Sequence, residues 1–92
     1  MSEPRIRVRA VVRGRVQGVF FRDSLRGRAS QDNLSGWARN CGDGSLEAVF
    51  EGDPEAVQRL LEFCREGPRG AAVEDVEVFE EPDEGLSGFS VR

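Results

Sequence analysis

Histidine is missing from this chain, so any chemistry falls to Arg, Asn, Asp, Glu, Ser, Cys or the main chain. Its absence excludes a Ser–His–Asp triad, a Cys–His pair and a histidine-ligated metal. Cys41 and Cys64 are the only thiols, a spacing that suits neither a zinc site nor a disulfide framework. The run Gly14-Arg15-Val16-Gln17-Gly18-Val19-Phe20-Phe21-Arg22 is different. A glycine-bearing loop before a helix can turn successive main-chain N–H groups toward one point, and the helix N-terminus adds positive potential. Arg22 would stand in the first helical turn, where its guanidinium can fork two phosphate oxygens. The same pattern also fits a connecting turn followed by a solvated arginine, and spacing alone does not separate the two.

The elements that would position these residues follow from periodicity. Ile6, Val8, Ala10 and Val12 alternate with arginines, which predicts a strand buried on one face. A helix is expected from about Phe21 to Gln31, with Phe21, Leu25 and Ala29 on one side and Gly27 weakening it. Ser35–Arg39 and Ser45–Glu51 read as a hairpin around Asn40-Cys41-Gly42-Asp43-Gly44. Asp53 can cap a second helix, Pro54 suits its first position, and Val57, Leu60, Leu61 and Cys64 form its apolar stripe. Gly67-Pro68 stops it. Val73–Phe79 reads as a fourth strand, Glu80–Glu84 as a solvated acidic loop, and Phe89–Val91 as a short fifth strand.

The order β-α-β-β-α-β predicts an α+β, ferredoxin-like sandwich, with two helices on one face of an antiparallel sheet. Residues 1–92 are expected to form a single domain. In this topology the first and second strands run parallel with the third between them. Their C-terminal ends then lie on one edge of the sheet, roughly 10 Å apart. One end carries the Gly14–Arg22 run and the other carries Asn40, so both can reach one small ligand.

Charge is distributed unevenly. Residues 1–39 carry a net of +6 and residues 40–92 a net of −10, and all thirteen basic residues are arginine. A basic half can signal nucleic acid. The topology offers a structural alternative, because Arg7, Arg9 and Arg13 would face Glu47, Glu51, Asp75 and Glu77 across neighbouring strands. Residues Met1–Arg13 lack the apolar centre of a signal peptide, and no apolar run approaches the ~20 residues of a membrane span. A cytoplasmic protein is expected, monomeric and free of membrane and nucleic acid.

The run Gly14–Arg22 closely resembles the signature loop of the acylphosphatase family. Gly36-Trp37-Ala38-Arg39-Asn40, with Asp43-Gly44, Glu47-Ala48 and Glu51-Gly52, resembles its second signature. The likeness continues weakly to the C-terminus, and the family shares the fold inferred above. The resemblance implies hydrolysis of small acyl phosphates to a carboxylate and inorganic phosphate, without metal or cofactor. It implies that Arg22 is the phosphate-binding catalytic arginine and that Asn40 orients the attacking water. It also implies a phosphate cradle from the main chain of Val16, Gln17, Gly18, Val19 and Phe20. Ala38 departs from the larger aliphatic usual there, and the first helix is more polar than typical.

Other readings predict different things. Acylphosphatase-like domains also occur in carbamoyl-transfer maturation proteins, where a noncatalytic domain binding acyl or carbamoyl phosphate is conceivable. An RNA-recognition motif shares the topology but needs exposed aromatics on the first and third strands. The first strand has none, and Phe50 on the third is expected in the core. Cys41 reads as a turn residue, Cys64 and Trp37 as packing, and Asp43 as serving its turn.

Overall fold

The computed structural model describes residues 4–92, so the start of the arginine–aliphatic segment read from Met1 lies outside the described residues. Its elements in chain order are β1 (Ile6–Arg15), α1 (Phe21–Gln31), β2 (Ser35–Asn40), β3 (Leu46–Gly52), α2 (Pro54–Glu66), β4 (Ala72–Glu81) and β5 (Phe89–Val91). They build one sheet in the order β4-β1-β3-β2-β5. β1 and β2 both pair antiparallel with β3, so they run parallel to each other and end on the same edge. Two helices against one sheet face give the α+β, ferredoxin-like arrangement.

Both helices begin and end for identifiable reasons. At α2, the Asp53 carboxylate accepts the Ala56 N–H at 3.1 Å, and Pro54 occupies a position whose N–H would have had no partner. Gly67 closes that helix with φ 77°. α1 has no side-chain cap, and Phe20 stands at its N-cap in the left-handed region. α1 lies over β2 and β5, while α2 lies over β1, β3 and β4. The rings of Phe21 and Phe63 meet edge-on at 5.9 Å and join the two helices.

Alternation along the strands separates two chemistries. Val8, Ala10, Val12, Ala38, Leu46, Ala48 and Phe50 face the helices and are buried. The opposite face carries an ion-pair lattice. Arg7 Nη1 reaches Glu51 Oε2 at 2.8 Å, Arg9 Nη1 reaches Glu47 Oε2 at 3.2 Å, and Arg13 Nη2 reaches Glu77 Oε1 at 3.1 Å. Asp75 sits opposite Arg13 in register, but Arg13 pairs with Glu77 and Asp43 instead.

Two features differ from expectation. β5 pairs parallel with β2, so the sheet is mixed rather than purely antiparallel. The run 80–84 is not a solvated loop throughout. Glu81 belongs to β4 and accepts from Arg7 Nε at 2.9 Å and Arg9 Nε at 3.0 Å. The N–H groups of Glu84 and Leu86 donate to the buried Glu51 carboxylate at 3.0 and 2.8 Å. Trp37, read as packing, is half-buried on the ion-pair face, with the Arg92 guanidinium 4.5 Å from its ring centroid.

Candidate active site

At the edge where β1 and β2 end, a cavity of about 230 Å³ opens between the sheet and α1. Val16, Gly18, Phe20, Phe21, Arg22, Asp23, Asn40 and Val91 line it. Arg22, Asn40 and three of the five residues expected to form the cradle therefore meet on one space. Gln17 and Val19 are outside the lining: Gln17 points to the β2–β3 turn, and Val19 packs against the core.

The loop is shorter than the glycine-bearing run suggested. Gly14 and Arg15 belong to β1, and Gly14 marks a shift in the pairing with β4. A Cβ at Gly14 would run into the main-chain oxygen of Ala72, so this glycine serves close strand approach. Gly18 serves conformation instead, with φ 77° and open space where a Cβ would stand. Phe20 adopts φ 60° and ψ 30°, a left-handed conformation costing a non-glycine residue roughly 1–2 kcal/mol. Among the described residues, no turn or loop hydrogen bond uses a main-chain N–H between Val16 and Phe20. Donors without internal partners beside a helix N-terminus suit an anion.

Two devices fix the partners of this loop. Gln17 Nε2 donates to the carbonyls of Cys41 at 2.8 Å and Ser45 at 3.0 Å, which ties the loop to the turn following Asn40. That turn is itself held by Asp43, whose Oδ1 accepts from the Ser45 N–H at 3.0 Å and the Ser45 hydroxyl at 2.6 Å. These bonds, together with Arg13, hold the Asp43 carboxyl below its ordinary pKa. Arg22 Nη1 donates to the main-chain oxygen of Arg92 at 2.7 Å, so the segment following β5 orients the guanidinium. Sequence reasoning missed the Gln17 side chain, Val91 and Arg92 because each depends on pairing between distant segments. The one local signal was an amide side chain in the middle of a phosphate-type loop.

Asn40 occupies the last position of β2 on the helix side of the sheet. Its Oδ1 is the one buried side-chain polar atom without a hydrogen-bond partner among the described residues. Buried polar atoms are ordinarily paired, so a free carboxamide oxygen on a residue lining a cavity retains its accepting capacity for a ligand. Cys41 is half-buried beside it. Burial in the core pushes the Cys64 thiol up to about 12, which disfavours its thiolate.

Comparison with known proteins agrees with this architecture. The acylphosphatase family model matches residues 8–91. An acylphosphatase of Rubrobacter xylanophilus is 60% identical over 87 residues, covering 94% of this chain and 79% of that protein. The structure of an acylphosphatase from Coxiella burnetii superimposes with a TM-score of 0.91 at 40% identity, covering 96% of this chain and 93% of the other. That of the acylphosphatase from Bacillus subtilis also gives 0.91, at 36% identity, with coverage of 95% and 98%. The match of residues 8–91 includes the loop, Arg22 and Asn40, and on this ground the chain belongs to the acylphosphatase family.

Proposed function

We propose that this chain hydrolyses the anhydride bond of small acyl phosphates by direct attack of water on phosphorus, within one domain spanning residues 1–92. The main chain of Val16–Phe20 and the Arg22 guanidinium bind the phosphoryl oxygens and neutralise charge that builds there in the transition state. Asn40 holds the attacking water in line with the bond that breaks. As the new P–O bond forms, the P–O bond to the acyl group breaks and its electron pair leaves with the carboxylate. The water's proton passes to a phosphate oxygen, since a neutral carboxamide is a poor base. Products are a carboxylate and inorganic phosphate.

The observation that carries this reading is the meeting of Arg22, the Gly18 loop and Asn40, with its unpartnered carboxamide oxygen, on one cavity. An acyl phosphate already has a good leaving group, so the reaction needs no metal or cofactor; Asp23 is the only carboxylate among the described residues of the lining. Turnover of acetyl phosphate by the purified chain, with and without chelator, tests both statements. Arg22→Ala is expected to raise KM and lower kcat together. Asn40→Ala is expected to lower kcat about 100-fold with little change in KM. Full kcat in Asn40→Ala would remove the water-positioning role.

We also propose a cytoplasmic monomer that binds neither nucleic acid nor membrane. Two unpaired thiols favour a reducing compartment. Arg7, Arg9 and Arg13 are engaged with carboxylates rather than presented to phosphodiesters. No helix among the described residues is long and apolar enough to cross a membrane. Sedimentation at micromolar concentration and a salt-dependent RNA titration check these points.

A further inference from the structure

We propose that the Phe20 ring selects the acyl group and favours aromatic acyl phosphates over acetyl phosphate; this rests on the hydrolytic reading above. Phe20 lines the cavity yet is 78% exposed, against 37% and 39% for the other exposed large apolar residues, Val78 and Phe79. Phe79 has the Arg9 guanidinium 4.4 Å from its centroid, whereas Phe20 has no aromatic or cationic partner among the described residues. The position asks for two things that phenylalanine supplies poorly. It requires a left-handed backbone, which glycine or asparagine adopts at less cost. It is also a helix N-cap, where asparagine would accept an N–H and phenylalanine cannot. What phenylalanine adds is an aromatic face at the rim of the site, and backbone strain at such a place points to function. The loop amides and Arg22 take the phosphoryl oxygens, so the acyl group projects toward the mouth of the cavity. Phe20 there, with half-buried Val91, offers an apolar surface on which a flat ring can stack.

The test compares kcat/KM for benzoyl phosphate and acetyl phosphate in the natural chain, Phe20→Asn and Phe20→Trp. Asparagine suits the backbone and removes the ring; tryptophan keeps an aromatic face. The natural chain is expected to prefer benzoyl phosphate, and Phe20→Asn to lower the benzoyl-to-acetyl ratio about three- to tenfold. Phe20→Trp is expected to retain the ratio. No preference in the natural chain, or an unchanged ratio in Phe20→Asn, overturns the proposal. Binding of phenylphosphonate and methylphosphonate, followed by calorimetry, reads the same selection without turnover. A phenyl advantage present in the natural chain and lost in Phe20→Asn supports selection by the ring even if that variant is inactive. Equal weakening of both ligands overturns it. If the natural chain binds phenylphosphonate preferentially but hydrolyses neither acyl phosphate, the hydrolytic reading fails and ring selection stands.

Discussion

Gln17 couples the two halves of the site through one side chain. Its amide nitrogen serves two carbonyls on the far side of β2, so replacing it leaves both without that donor. Gln17→Ala is expected to lower stability by about 1–3 kcal/mol in denaturant unfolding. It should also lower kcat roughly tenfold, because the loop and Asn40 lose their common tie. Equal kcat in the variant and the natural chain would limit Gln17 to stability. The sequence exposed Gln17 as part of a loop but not what its side chain meets, since its partners lie 24 and 28 residues away. Arg22 and Asn40 were legible because their types and flanking glycines carry the family's signature locally.

Among the elements, the two helices and first four strands were readable from apolar spacing, caps and turn residues. β5 was readable as a strand, but its parallel pairing with β2 was not, because three residues contain no information about which edge they join. Glycines carry a second element-scale lesson. A Cβ at Gly36 would collide with the main-chain oxygen of Val49, so Gly36→Ala must force β2 from β3. Gly18→Ala meets no neighbour and has only an unfavourable φ to accommodate. Thermal unfolding should therefore show a large loss for Gly36→Ala, about 3 kcal/mol or more, and about 1 kcal/mol for Gly18→Ala. Activity should rank differently, with Gly18→Ala impaired beyond its stability loss because the proposed cradle changes shape.

At the scale of the whole molecule, the ion-pair face resolves the uneven charge of the sequence. The basic first strand lies between two acidic ones, and Glu51 anchors the crossing from β4 to β5 while fully buried. Removing that carboxylate leaves Arg7 and two main-chain amides without it, and Glu51→Ala is expected to cost about 3–5 kcal/mol. Acid should act through the members that solvent reaches, half-buried Glu81 and exposed Asp43. Hydrogen bonds from Arg7 and then Arg9 lower the pKa of Glu81, and those from Ser45 lower that of Asp43. A carboxylate with a depressed folded-state pKa stabilises fully above its unfolded-state value, and that contribution disappears as pH falls through the folded value. Denaturant midpoints should thus decline below about pH 4, and the decline should be shallower in Glu81→Gln with Asp43→Asn. An identical decline in that double variant would exclude these two groups as its source.

The sequence by itself determined where strands and helices form, which face of each is apolar, and that the loop leading to Arg22 and the strand ending at Asn40 leave the sheet at one edge. Those properties depend on neighbours within a few residues, through backbone sterics, capping and periodicity. Only the tertiary structure decided that Gln17 braces the Asn40 turn, that Arg92 orients Arg22, and that the acidic run after β4 locks onto Glu51. Each of these joins segments far apart in the chain, and local periodicity does not specify which distant groups will meet.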